Sequence, residues 1–435
     1  MRTIWTPPPA LSRRSALGAG LAGLAGACAS TLQTGGPAAA IAADLAAFAA
    51  FGAKNAGGPG DAASGAWIER RLSELGYATE RQPIPALDLD LQRCTLALAG
   101  RGVDLAVHDT GPSPAQMRIE APLVDWSPGL TSLSGAGGAV VIAHLPQRRW
   151  SSAAQPEIAA AIARVFTAGA GALILVTHGP TGELIRLNRP LTNERGPVLM
   201  LAPKAWRAFD IAAHAGRNVS LALDAPPSTR EAFNLIGRLD RGARRSIVVS
   251  TPRSGWGVCA GERGPGVAVF LALARWMRDR FTGHNLVFVS TSSHEFENTG
   301  GAAFIESKAP TPDQTALWLH LGAGFAARDW HEAGGRLLPL PSADPQRFLV
   351  ASSDFVALAR AAFAGAPGLE AAYDASAGAA GELATVLAAG YAAAIGMFGA
   401  HRFHHTALDD LNCVEPAHTD DVLMRTQRLL EVATI

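Results

Sequence analysis

Residues 285–305, NLVFVSTSSHEFENTGGAAFI, constrain the fold more than any other stretch of the chain. Leu286-Val287-Phe288-Val289 is apolar without polar alternation, as expected of a strand buried on both faces. The run ends in an ionisable pair, His294-Glu295, and Gly300-Gly301 then opens into an apolar helical pattern. Strand, polar turn and helix in that order belong to an open α/β sheet. In such sheets chemistry collects just beyond the carboxyl ends of the strands. The rest of the chain is read as scaffold and partners of this pair.

The N-terminus reads as an export segment. Arg13-Arg14 precedes an apolar run from Ala16 to Ala27 that is too short to span a bilayer, so no membrane span is expected after signal removal. Cleavage after Ala27 or Ala29 fits an A-x-A pattern, and a lipid on Cys28 is the weaker alternative because Ala25 stands where leucine is usual. The expected location is periplasmic or secreted. Gly18 to Gly23 matches a dinucleotide fingerprint by letters only, since no strand precedes it.

Helices are expected over 43–51 and 62–75, followed by a connector rich in proline (Pro83, Pro85) and a hairpin around Gly100-Arg101-Gly102. Short strands at 139–143, 172–176 and 198–201 surround a helix over 158–167, and His144, His178 and His214 look isolated there. From Phe233 onward strands and helices alternate: strand 247–249, helix 267–280, strand 316–321, helices 355–363 and 382–387, strand 391–397 and a final helix from Thr419. That alternation indicates a mainly parallel sheet flanked by helices.

With 37 basic and 37 acidic residues among 435, the chain has no charge excess to attract a nucleic acid. The four cysteines, Cys28, Cys94, Cys259 and Cys413, show no C-x-x-C spacing and no disulfide framework. His294-Glu295 does not continue into H-E-x-x-H, because the fifth residue is Asn298. There is no G-x-S-x-G elbow and no phosphate-binding loop.

The order of motifs resembles the zinc exopeptidases of the aminopeptidase S and glutaminyl cyclase family. The residues that carry the resemblance are the opening helices with FGAKNAGGPGDAASGAWIERRLSELGY, the Gly-rich acidic loop Ala260-Gly-Glu-Arg-Gly264, the acidic position after strand 286–289, and His405-Thr-Ala-Leu-Asp409. The resemblance implies a zinc-aminopeptidase-like domain over 40–112 and 229–435, behind a signal over 1–29, with a β-rich protease-associated domain inserted over 113–228. It implies metal ligands at Glu262, Glu295 and His405, and it places Pro252 and Gly322 where two further ligands would stand. His294 falls on the general-base position and Glu382 near the family's Ser-Asp-His segment. Arg253, Trp256 and His320 are the expected substrate contacts, with His320 also a substitute ligand.

Two carboxylates and one imidazole leave a fourth tetrahedral position for water, so one zinc ion is the expected cofactor. The expected activity is peptide hydrolysis or aminoacyl transfer on a peptide or small amino-acid-derived substrate. Glu262 has a competing reading as a buried ion pair with Arg263 or Arg253. On that reading the chain is a non-catalytic peptide-binding or scaffold protein, as in the transferrin-receptor branch of the fold.

Overall fold

The computed structural model describes residues 37–111, 116–190 and 195–434. The expected export signal lies outside them. No helix among the described residues is long and apolar enough to cross a membrane.

An eight-stranded sheet organises the chain. Its spatial order is Ala78–Leu89, Pro227–Leu239, Asn285–Thr291, Ser246–Pro252, Thr315–Leu321, Ala394–Gly399, Arg347–Ala351 and Tyr373–Asp374. The four strands from Asn285–Thr291 to Ala394–Gly399 are mutually parallel. The apolar run of residues 286–289 explains itself at once. Leu286 and Phe288 enter the core under helices Pro37–Ala50, Pro59–Glu74, Ala260–Arg280 and Pro416–Ala433. Val287 and Val289 enter the opposite core with Phe304 and Leu383, from helices Thr299–Ser307 and Gly381–Ala388. Both faces of the strand are covered, so no polar alternation survives.

Pro83 and Pro85, expected in a connector, instead lie within the twelve-residue strand Ala78–Leu89. That strand pairs only with Pro227–Leu239. An edge strand has one side free of ladder bonds, which is where proline is tolerated.

A second eight-stranded sheet comes from residues between these two strands. Its order is Arg101–Asp104, Arg93–Leu98, Asn218–Asp224, Gln116–Trp126, Val140–Leu145, Ala172–Thr177, Val198–Leu201 and Ala106–Asp109. Separate apolar cores cover its two faces, around Leu96, Ile142 and Leu221 on one side and Trp126, Val141 and Ile158 on the other. The Gly100 hairpin forms as expected, but its strands join this second sheet rather than the first. His144 and His178 are not isolated: they lie 2.9 Å apart, with Asp125 on the other nitrogen of His144.

One buried ion pair ties helix Pro59–Glu74 to the ends of the central strands. Arg253 Nε lies 2.9 Å from Asp61 Oδ1, with both side chains fully enclosed. Arg253 also donates to the carbonyls of Ser290 at 2.8 Å and Phe233 at 2.5 Å, and Asp61 accepts from Ser292 Oγ at 2.7 Å. Replacing Arg253 by leucine strands the Asp61 carboxylate in a dry site. A loss of about 3–5 kcal/mol in urea unfolding is expected. A loss below about 1 kcal/mol would show that this pair does not hold the strand ends.

Candidate functional site

The chemistry-bearing residues come mainly from the carboxyl ends of three of the four parallel strands. After Ser246–Pro252 come Arg253, Ser254 and the helix carrying Glu262 and Arg263. After Asn285–Thr291 come His294 and Glu295, and after Ala394–Gly399 come His401, His404 and His405. Five of the seven described non-glycine residues with positive φ cluster here: Cys259, Ser293, Glu297, Asn298 and His405. Backbone held in such conformations marks a site that the surrounding fold over-determines. Gly300 permits the turn after Glu295, since a Cβ there would stand 2.0 Å from the Ser292 carbonyl oxygen.

Asp409 places Glu262. Its carboxylate accepts from the backbone N–H groups of Gly261 at 2.6 Å and Glu262 at 3.0 Å, capping the helix N-terminus. Glu262 Oε1 is then 3.1 Å from His405 Nε2 and 2.7 Å from a terminal nitrogen of Arg263. Glu262 and Arg263 are each 1% exposed. Burial pushes the Glu262 carboxyl up, but the Arg263 guanidinium and then the His405 and His404 imidazoles outweigh it. The net direction is well below the usual carboxylate range, so Glu262 is an anion. Arg263 is held from behind by the Ser254 carbonyl at 2.9 Å. His405 Nδ1 faces the Arg186 carbonyl at 2.8 Å, while the His405 carbonyl accepts from the Arg186 N–H.

His294 and Glu382 also come together, with Nδ1 3.4 Å from Oε1, and Thr291 Oγ1 donates to the same oxygen at 2.7 Å. Burial, seconded by Arg263, lowers the His294 pKa. A neutral ring that turns its Nδ1–H toward Glu382 keeps its Nε2 lone pair as an acceptor. His294, Glu262, Arg263, His404 and His405 share a cavity of about 230 Å³. Ser151, Ser152 and Asn188 complete it from loops between strands of the second sheet.

Glu295 does not join Glu262 and His405. Its oxygens accept from the Ala56 N–H at 2.9 Å and from Ser254 Oγ at 2.6 Å. Burial raises its pKa to about 7, against the lowering effect of those two donors. His404 takes the place expected of it. One ligand atom each from Glu262, His404 and His405 lies within 4.8 Å of the others. Arg253 does not line the cavity, because the Asp61 pair and three carbonyls enclose its guanidinium. His320 is 1% exposed, its Nδ1 is 2.9 Å from Ser250 Oγ, and its ring lies against Phe398. Burial lowers its pKa to about 4, so it is a neutral core side chain. Trp256 donates to Asn188 Oδ1 at 3.1 Å and lines a neighbouring pocket.

A zinc pair does not fit these residues. Pro252 has no donor, and a Cβ at Gly322 would meet the Met397 carbonyl and Phe398 ring at 2.6 Å, so no aspartate fits there. A single ion meets an obstacle of charge. An ion bonded to Glu262 Oε1 lies within about 5 Å of the Arg263 nitrogen, given a metal–oxygen bond of about 2 Å. At an effective dielectric near 20, repulsion is roughly 3 kcal/mol per unit of ion charge. The donors are present, but a fixed cation already neutralises the carboxylate among them.

The fold is that of the zinc aminopeptidases, as the sequence resemblance implied. A zinc aminopeptidase from Bacillus subtilis superposes with a TM-score of 0.68 at 14% identity, over 90% of this chain and 94% of that one. An aminopeptidase from Aneurinibacillus sp. strain AM-1 gives 0.64 at 17% identity, over 91% and 93%. A peptidase precursor from Shewanella amazonensis gives 0.66 at 14%, over 92% of each. No protein-family model matches the chain, and no curated protein matches it by sequence.

The Glu295 environment predicts a pH slope. A buried carboxyl with a raised pKa keeps its proton in the folded chain after the unfolded chain has released it. Stability therefore falls as pH rises from 4.5 to about 7. Glu295→Gln should flatten that slope in urea unfolding and be more stable than wild type at pH 8 by up to about 3 kcal/mol. A variant less stable than wild type at pH 8 would mean that the carboxylate is ionised and held by a cation.

Proposed function

We propose that the chain is an exported, non-catalytic protein of the zinc-aminopeptidase fold that binds a peptide segment or small amino-acid derivative in the 230 Å³ cavity. The observation that carries this reading is the enclosed Glu262–Arg263 pair, with His405 on the same oxygen. A guanidinium supplies the positive charge that a metal ion supplies elsewhere in the fold, but it has no open coordination position for water or a carbonyl. The redirection of Glu295 to Ala56 and Ser254 supports it further. Ser151, Ser152, Asn188, Asn298 and Gln346 offer the donors and acceptors that peptide groups need.

Export rests on Arg13-Arg14 and the apolar run that follows. The protease-associated-like insertion expected over 113–228 contributes the Ser151, Ser152 and Asn188 side of the cavity, and strands between Arg93 and Asp109 extend its sheet.

A second reading has one observation in its favour. Glu262, His404 and His405 form a buried three-donor cluster, so one zinc and a peptide-hydrolysing or aminoacyl-transferring activity require only that Arg263 withdraw. His294 would then hold or move the proton, oriented by Glu382.

Metal analysis separates the two. After zinc loading and desalting, the wild-type chain is expected to hold well under one zinc per molecule and to leave aminoacyl-p-nitroanilides uncleaved. Stoichiometric zinc that is lost in His405→Ala, with matching activity, would overturn the non-catalytic reading. Arg263→Gln provides the converse. It should lower stability by about 3 kcal/mol by leaving Glu262 short of a counter-charge. Added zinc should restore part of that loss, read as a rise in Tm absent from wild type.

A further inference from the structure

A second pocket, of about 190 Å³, lies beside the cavity. Trp256 lines the pocket, Asn188 lines the cavity, and the hydrogen bond between them forms the partition. The charged groups of the pocket are Asp88, Arg186, Arg189 and Glu295, and His108 is its one imidazole. Asp88 is paired with Arg230. Arg189 lies 3.4 Å from Asp109 and sits over the Phe296 ring. Burial and the two arginines push His108 down to about 3, so it is neutral.

Arg186 is different. Its guanidinium sits over the Trp256 indole, with its carbon 5.3 Å from the ring centroid. Among the described residues no carboxylate or carbonyl accepts a hydrogen bond from it. It is largely buried but keeps some exposure, and it lines the pocket. Its main chain is fixed by the two-way bond to His405, which sets its position against the site. A desolvated guanidinium normally finds an anion, and a planar fork stacked on an aromatic ring suits a carboxylate. Glu295, whose pKa burial raises to about 7, already has both oxygens engaged by the Ala56 N–H and Ser254 Oγ. A positive charge not paired by a hydrogen bond, with Asp88, Asp109 and Glu295 close by, suits a singly charged carboxylate better than a dianionic phosphate.

We infer that the Arg186–Trp256 pocket is a carboxylate-recognition subsite, so that the ligand of the neighbouring cavity carries an acidic group. The inference rests on the peptide-binding reading for the ligand's identity but not for the pocket's anion preference. The carboxylate has two sources, an acidic side chain or a peptide C-terminus.

The test is calorimetric titration of the full chain with three small probes. N-acetylglutamine amide is neutral, N-acetylglutamine carries a C-terminal carboxylate, and N-acetyl-isoglutamine carries it on the side chain. At least one acid is expected to bind about tenfold or more tightly than the neutral probe, and the preferred acid names the source. Arg186→Gln should erase the preference, Arg186→Lys should keep part of it, and rising salt should weaken it in wild type. Glutarate monoamide, which carries one carboxylate, against the uncharged diamide, read as a Tm shift, addresses the pocket without any peptide group. Equal behaviour of acids and neutral probes, a preference that survives in Arg186→Gln, or no response to either acid series overturns the subsite. Neutral probes that bind without acid preference would overturn the subsite alone. The non-catalytic reading stands or falls separately on zinc content.

Discussion

The constraint on which this end of the molecule depends is the burial of the Glu262 carboxylate. An ionised carboxylate away from water persists only if charge is supplied nearby. Arg263 and His405 supply it, and each needs its own support. Arg263 is steadied by the Ser254 carbonyl, and His405 by the main chain of Arg186. Asp409, in turn, aims Glu262 by holding the helix N-terminus. The capping loop, the Arg186 loop and the strand end at Ser254 are therefore consequences of one buried charge. Altering any of them changes how that charge is met.

Much of the fold was legible because its signals are local. The strands over 247–249, 286–289 and 316–321 are apolar runs buried on both faces, and helix 267–280 buries its apolar positions Val267, Phe270, Leu271, Ala274 and Met277. The misreadings are all tertiary. Pro83 and Pro85 look like strand breakers until the strand is seen to be an edge. His144 and His178 are thirty-four positions apart, and only the parallel pairing of Val140–Leu145 with Ala172–Thr177 brings them together.

The site was legible in part. Glu262, His294, Glu382 and His405 could be singled out by type and order, and Arg263 could be named as a competing partner of Glu262. The direction of Glu295 could not. Its choice of Ala56 and Ser254 depends on a loop near residue 56 and on the turn after strand Ser246–Pro252, both distant in sequence. Arg253 misled for the converse reason. A cation beside a catalytic-looking loop suggests substrate, yet Asp61, far away in sequence, claims it first. Asn188, Arg186 and Ser151 carried no sequence signal, because they lie in loops between strands of the other sheet.

Two ways of neutralising Glu262 differ in what they leave behind. A bound ion neutralises the carboxylate and still has a vacant position where water is acidified or a carbonyl polarised. A guanidinium neutralises it with N–H donors alone, so it can orient a ligand but cannot lower the pKa of water. The ion can also be lost, leaving the carboxylate exposed to its own desolvation cost, whereas Arg263 is part of the chain. The raised pKa of Glu295 follows the same logic. With Arg263 claimed by Glu262 and Arg253 claimed by Asp61, a second buried carboxylate holds its proton more tightly. The arrangement favours a permanently compensated binding cavity over one whose charge depends on a captured metal.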